Sequence, residues 1–497
     1  MSDTNDLIKA SGLQPYQPSI SKAGGATYFL GRSKDGKFVA AVGPAGSIHI
    51  QGKQTTVGDS AVVVGPMDHA NAKTIRQLLP WTAPVCLHLA TSAGLGDRLG
   101  LATPGHIRSI RGSGLAVILA QQSIREMTRT QRTPDEVMDC ATWGVFQEGF
   151  RDGFGSDADH LQKTQDIDAT LAAGFTMFTI DPGAHVDDAA DTADAKALVM
   201  KMDGVDFATL ESSPAEMAGR YVGKKFALEG LTVEMTQEQL DRALVKYGNA
   251  VAHTVKMFRH LAAAAKGPYE LEVSVDETAC PTTPEEHYFF ANELKRLGVK
   301  WVSMAPRFVG RFEKGVDYIG DKEEFRRSFA QHVAVMKALG PYKISIHSGS
   351  DKFSIYPIIA DVAGPYVHLK TAGTSYLEAI RSIAAIDPWL FREILDFAHQ
   401  RYETDKASYH VSADPAKVPQ ASALKDDQLA GVLDLFDGRQ LLHVTFGSVL
   451  TARDSAGASR FRQRILAALA ADEEHHYDVV ERHIRRHIEP FIECARA

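Results

Sequence analysis

The sequence predicts a (β/α)8 TIM-type barrel with a β-rich N-terminal subdomain, helical insertions and C-terminal helices. Three observations predict it. Beyond about residue 85, short apolar runs rich in β-branched residues alternate with segments of helical character. Eight such runs are present, the number that closes a barrel. The segments between them carry the start and stop signals of helices.

In chain order, residues 1–80 read as the β-rich subdomain. Within ATYFLGRSKDGKFVAAVG, Asp35-Gly36 separates two apolar runs, a hairpin signal, and Pro80 and Pro84 punctuate the end. The barrel is expected over 81–454, with strands in VCLHLAT (85–91), LAVILAQ (115–121), FTMFTID (175–181), YELEVSVDE (269–277), KWVSMAP (300–306), YKISIHS (342–348), YVHLKTA (366–372) and LLHVTFG (441–447). Thr133-Pro134-Asp135-Glu136 and Thr283-Pro284-Glu285-Glu286 each combine an N-cap threonine, a first-turn proline and a capping-box glutamate. Gly174, Gly267, Gly298 and Gly340 sit where helices should stop, and Asp387-Pro388 opens another. An insertion around 187–266 ends in a long helix from 236. The extension 455–497 is helical, and its His475, His476, His483 and His487 are read as solvated.

The chain has 497 residues, 44% hydrophobic and 23% charged, enough for a large core. A net charge of −8 gives no basic footprint for nucleic acid. No apolar run reaches the roughly 18 residues of a membrane span, and the polar N-terminus lacks a signal-peptide layout. Cys86, Cys140, Cys280 and Cys494 are scattered, without a CxxC, which fits a reducing compartment and makes the cytoplasm the default location.

A barrel of this kind keeps its active site at the C-terminal ends of its strands, so polar residues there are candidates. In YELEVSVDET, Leu271, Val273 and Val275 alternate with Glu270, Glu272, Ser274 and Asp276. If the apolar face meets the helices, the carboxylates point inward, where they serve metal or acid/base chemistry or pair with a barrel Lys or Arg. In YKISIHS, His347 shares a face with Lys343 and Ser345 and ends its strand, a position suited to a metal ligand. The following Ser348-Gly349-Ser350 offers backbone N–H groups to an anion, and Asp351 and Lys352 complete the polar cluster. His368 and Lys370 share the inner face of YVHLKTA, which runs into an anion-binding type of turn before a helix, Thr371-Ala372-Gly373-Thr374-Ser375. Asp157, Asp159, His160 and Lys163 read either as the capped start of a helix or as a base beside a metal ligand. Arg307 follows the run at 300–306, where it can clamp a carboxylate. Asp97, Arg98, Gln121, Gln122, Asp181, His185 and His443 are weaker rim candidates. GxGxxG at a strand-to-helix junction, Walker A, HExxH and GxSxG are all missing, so a stored nicotinamide and an ATP-driven step lack support.

SIHSGSDKFSIYP (345–357), HLKTAGTSYLEAIR (368–381), ELEVSVDET with PTTPEEHYFFANEL (281–294), and APRFVGRFEKGVDY (305–318) together resemble the tagaturonate epimerase family, from about residue 80 to the C-terminus. The resemblance implies a metal-dependent isomerase of hexuronate catabolism that interconverts D-tagaturonate and D-fructuronate, epimers at C4. It implies a divalent cation (Mn2+, Ni2+, Zn2+ or similar) on His160 and His347, Asp159 as proton acceptor and Glu272 as proton donor. Strand position adds His368 as a third ligand. Ser348, Ser350, Asp351, Lys352, Lys370, Arg307 and Asp276 are the candidates for gripping a small acidic sugar. The C4 hydrogen is β to the C2 carbonyl and resists simple enolisation, so retro-aldol cleavage of C3–C4 is the expected route, with a divalent ion stabilising the enediolate. The alternatives are another metal-dependent ketose 4-epimerase or aldolase acting on a sugar such as tagatose or fructose, and a sugar-binding protein without turnover. The oligomeric state is left open.

Overall fold

The computed structural model describes residues 3–496. A six-stranded antiparallel sheet comes first, ordered Gln14–Pro15, Ala26–Ser33, Gly36–Gly43, Ser60–Gly65, Lys53–Val57, with Ser21–Ala23 paired to Ala26–Ser33. The expected hairpin is present, Ser33 pairing with Gly36 across Lys34-Asp35. One face of the sheet, including Tyr28, Leu30 and Val39, packs on Trp143 and Phe146 of helix Pro134–Glu148.

Eight parallel strands then close a barrel in sequence order: Ser92–Leu95, Ala116–Ser123, Gly155–Leu161, Met177–Ile180, Glu270–Ser274, Ser303–Ala305, Lys343–Ile346 and Val367–Thr371. They are called strands 1 to 8 below. The helices between them carry the expected caps. Capping boxes are formed at Thr133/Glu136 and Thr283/Glu286, and Gly174 ends its helix in the left-handed region at φ 89°. The insertion holds helices Ala195–Met202 and Pro214–Tyr221, the hairpin Lys225–Leu228/Leu231–Glu234 and the long helix Gln237–Ala264.

Four expectations need correction. The run at 85–91 is not a strand. Its Leu87 and His88 backbone N–H groups donate to the Glu270 carboxylate, at the N-terminal end of strand 5, and the strand begins at Ser92. The run at 441–447 lies in the helices Phe436–Val444 and Phe446–Thr451, where Leu441, Leu442 and Val444 fill a core shared with helices Thr374–Ile386 and Pro388–Asp405. The barrel gains its eighth strand from GSDADHL instead, read from sequence as a capped helix start. Two aspartates on one strand oppose β-propensity, which their charge partner, more than 200 residues away, overrides. The C-terminal histidines also differ from expectation. His476, His483 and His487 are buried on helix Glu473–Ile488, against Thr103–Ile110 and Thr374–Ile386. Among the described residues no helix is long and apolar enough to cross a membrane.

Candidate active site

The polar face of the barrel strands is stacked in layers. Lowest, Ser92 Oγ of strand 1 accepts from Lys343 Nζ (3.0 Å) and meets His368 Nδ1 (2.9 Å). Burial lowers Lys343 to about 8 and His368 to about 3, so this imidazole is neutral. Above them, Lys370 of strand 8 reaches Asp157 Oδ2 (2.7 Å) and Asp159 Oδ1 (2.7 Å) of strand 3, Glu272 Oε1 (2.6 Å) of strand 5 and Thr179 Oγ1 (2.7 Å) of strand 4. Every member of this layer is buried. Burial opposes the Lys370 charge, but Asp157, Asp159 and Glu272 outweigh it and hold the ammonium well above its ordinary value. Glu272 is likewise kept ionised against burial, by Lys370 and His347.

At the strand ends, ligand-type atoms of Asp159, His160 and His347 all lie within 4.8 Å of one another. The two imidazole rings meet edge-on with centroids 5.1 Å apart. Each has a carboxylate on Nδ1: His160 faces Asp181 Oδ2 at 3.2 Å, and His347 faces Asp276 Oδ1 at 3.3 Å. His347 Nε2 lies 2.6 Å from Glu272 Oε1. Burial disfavours both imidazolium ions, yet Asp159 and Asp181 raise His160 to about 10. Asp276 and Glu272, working against burial and Lys370, raise His347 to about 9. Five carboxylates surround one ammonium and two imidazoles here, so the cluster draws in further positive charge. The backbone is also unusual, with His160 at φ 52°, Ser348 at 49° and Asp351 at 64° in the left-handed region, as is frequent at functional sites.

A cavity opens over this cluster, lined by Asp159, His160, His347, Ser348, Ser350 and Lys370, and from the flanking elements by Arg98, Gln121, Lys314, Gly373 and His443. A neighbouring cavity shares His347, Ser348 and Lys314 with it and adds Asp276 and Arg307. The barrel therefore brings Asp159, His160, Glu272, Asp276, His347, Ser348, Ser350 and Lys370 together, with Arg307 alongside.

Three expected residues stand elsewhere. His368 is one layer down and outside the Asp159–His160–His347 group. Lys352 is fully buried, and its ammonium donates to the carbonyls of Glu313 (2.7 Å), Val316 (2.6 Å) and Ser350 (3.0 Å), so it has no donor left for a sugar. Asp351 turns away from the cavity to Arg439 Nη2 (3.0 Å) and His483 Nε2 (2.7 Å). With His487 it makes a second group of ligand-type atoms, but His487 Nε2 already accepts from the Asp351 N–H and Arg439 neutralises the carboxylate. The reading from sequence missed Asp157 as a charge partner of Lys370, although the alternation Asp157-x-Asp159 marks one face of a strand. Lys314 carried no signal, because a long loop brings it to the mouth.

The model of the tagaturonate epimerase family matches residues 16–491. A tagaturonate/fructuronate epimerase of Thermotoga maritima is 41% identical over 482 residues, covering 96% of this chain and 97% of its own. A glycerol-complexed and a native crystal structure of fructuronate-tagaturonate epimerase from Cohnella laeviribosi each match with a TM-score of 0.92 at 33% identity, over 98% of both chains.

Proposed function

The chain belongs to the tagaturonate epimerase family and is an isomerase, and from that premise we propose that it interconverts D-tagaturonate and D-fructuronate by metal-dependent retro-aldol chemistry. The observation that carries the chemistry is the pair of ionised carboxylates, Asp159 and Glu272, bridged by Lys370 beside two histidines.

The donor set fits a divalent cation. Two imidazoles, His160 and His347, suit a borderline metal and would leave positions for substrate oxygens, while Asp159 beside them stays free to act as the base. The charge fits as well, since a dication on His160 and His347 would replace the protons that the surrounding carboxylates otherwise impose on both rings. Asp181 and Asp276 would orient those rings through Nδ1. His368 is left out of this ligand set because it lies one layer down, outside the group at the strand ends. When bound, such an ion supplies Lewis-acid stabilisation to negative charge on the ketose oxygens.

The protein's own groups handle the proton. Asp159 takes the C4 hydroxyl proton as C3–C4 breaks, and the bonding pair moves into the C2 carbonyl to give an enediolate and an aldehyde. The aldehyde turns its other face, C3 re-forms the bond, and the new C4 alkoxide receives a proton from Glu272. Both carboxylates rest ionised, so the proton must pass between them. Lys370, within 2.7 Å of each, is the bridge that allows it. The polar, enclosed barrel mouth holds the two fragments together between cleavage and rejoining.

Turnover of tagaturonate is expected to vanish after prolonged EDTA treatment and to return with a divalent ion. Full activity after exhaustive chelation rules out the metal. In deuterated water the product is expected to carry no deuterium at C4; its appearance there would replace retro-aldol cleavage with deprotonation at carbon.

A further inference from the structure

Resting on the tagaturonate/fructuronate reading, the substrate carries a carboxylate at C6, and that charge needs a partner in the cavity. The lysines expected from sequence are occupied, Lys352 by three carbonyls and Lys370 by three carboxylates.

Donors lining the same cavity from three other elements are not occupied. Arg98, just beyond strand 1, is 4% exposed. Its Nε and Nη2 donate to Glu126 Oε1 (2.9 and 2.6 Å), and its plane lies over the Phe446 ring at 3.6 Å. Its Nη1 has no partner among the described residues. His443, on helix Phe436–Val444, is 2% exposed, with Nε2 3.5 Å from Arg98 Nη2. A guanidinium only donates, so Nε2 is the acceptor and the ring hydrogen belongs on Nδ1. That Nδ1 is also without a partner among the described residues. The third group is the N-terminus of helix Thr374–Ile386, which starts at Gly373 with no side-chain cap. It sits directly against the imidazole, since a Cβ on Gly373 would fall 2.1 Å from His443 Cε1. Buried donors without acceptors destabilise a fold, and an uncapped helix start adds the positive end of its dipole.

We infer that Arg98 Nη1, His443 Nδ1–H and the N-terminus of helix Thr374–Ile386 form the subsite for the sugar's carboxylate. The subsite selects a uronate over the corresponding neutral ketose. Three other cations of the cavity are less suited, the first being Arg129, which donates to the Tyr409 hydroxyl and lies over its ring. Arg125 is exposed and paired with Glu277 (2.9 Å), and Lys314 Nζ donates to Ser348 Oγ (2.6 Å) at the partly exposed rim, where solvent screens its charge.

The test is calorimetric binding of galactonate against galactitol, which differ by a carboxylate in place of a hydroxymethyl group. Measurements use the wild type, His443→Phe, the double variant Arg98→Met/Glu126→Met and Lys314→Met. The double variant removes the buried ion pair as a unit, and His443→Phe keeps ring volume, so at least one folded variant is available. The wild type is expected to prefer galactonate. The preference should fall about 10-fold in His443→Phe and about 100-fold in the double variant, as for charge-assisted hydrogen bonds, while Lys314→Met changes it little. An unchanged preference in the folded Arg98 and His443 variants, or its loss in Lys314→Met alone, overturns the assignment. A wild type that binds galactonate but never turns over tagaturonate would sink the functional reading and leave the subsite standing.

Discussion

At the residue scale, the ammonium of Lys370 organises the barrel interior. A single cation holds Asp157, Asp159 and Glu272 within 2.7 Å, all of them buried. Removing one partner from a buried charge network leaves the others uncompensated, at a cost of about 3–5 kcal/mol. Lys370→Met is therefore expected to lose activity and about that much stability in chemical denaturation; a variant as stable as the wild type would show that the carboxylates find other partners. Glu272→Gln keeps the shape but can neither take up nor deliver a proton, so kcat should fall about 100- to 10,000-fold with the fold retained. Turnover within a few-fold of wild type would take Glu272 out of the proton path. Both residues were legible in sequence, because strand alternation fixes which side chains turn inward. Which carboxylates meet which cation was not, because those partners come from strands 3, 4, 5 and 8.

At the scale of elements, the segment after strand 7 divides its polar residues between two jobs. Ser348 and Ser350 line the cavity, while Asp351 and Lys352 fasten the loop from beneath. Lys352 ties Glu313 and Val316 of the preceding loop to Ser350, so Lys352→Met should leave three buried carbonyls without a donor. A stability loss of about 2–4 kcal/mol is expected from denaturation, with little change in the KM of the folded fraction. A raised KM at unchanged stability would return Lys352 to the substrate. The capped helices were readable because a capping box is a local bargain among four residues. Strand 3 was not, because Asp157 and Asp159 of GSDADHL find their charge partner, Lys370, only in the closed barrel. The helix at 436–444 was misread because a short apolar run does not distinguish a buried strand from a buried helix.

At the scale of the whole molecule, the two ends of the chain are joined. Lys37 and Tyr16 of the N-terminal region meet Glu473 of the last long helix at 2.5 Å each, and that helix packs its histidines inward. Burial holds His106, His332 and His476 down to about 4, below the ordinary value near 6.5. Above about pH 6.5 these groups are neutral whether folded or unfolded, and their full contribution is present. Between there and about pH 4 the unfolded chain binds protons that the folded one refuses, so stability falls as pH falls. Urea midpoints should drop steeply across that window, and a flat profile from pH 7 to 4.5 would show that these histidines are not neutral in the fold. By itself the sequence determined the barrel class, the capped helix starts at Pro134 and Pro284 and the inward placement of Glu272, His347 and Lys370, because alternation and capping are local. The third barrel strand, the charge cage, the retreat of Lys352 and His368 from the mouth and the convergence of Arg98 with His443 were decided only by the tertiary structure. Each depends on residues far apart in the chain, whose Coulomb and burial energies exist only once the barrel has closed.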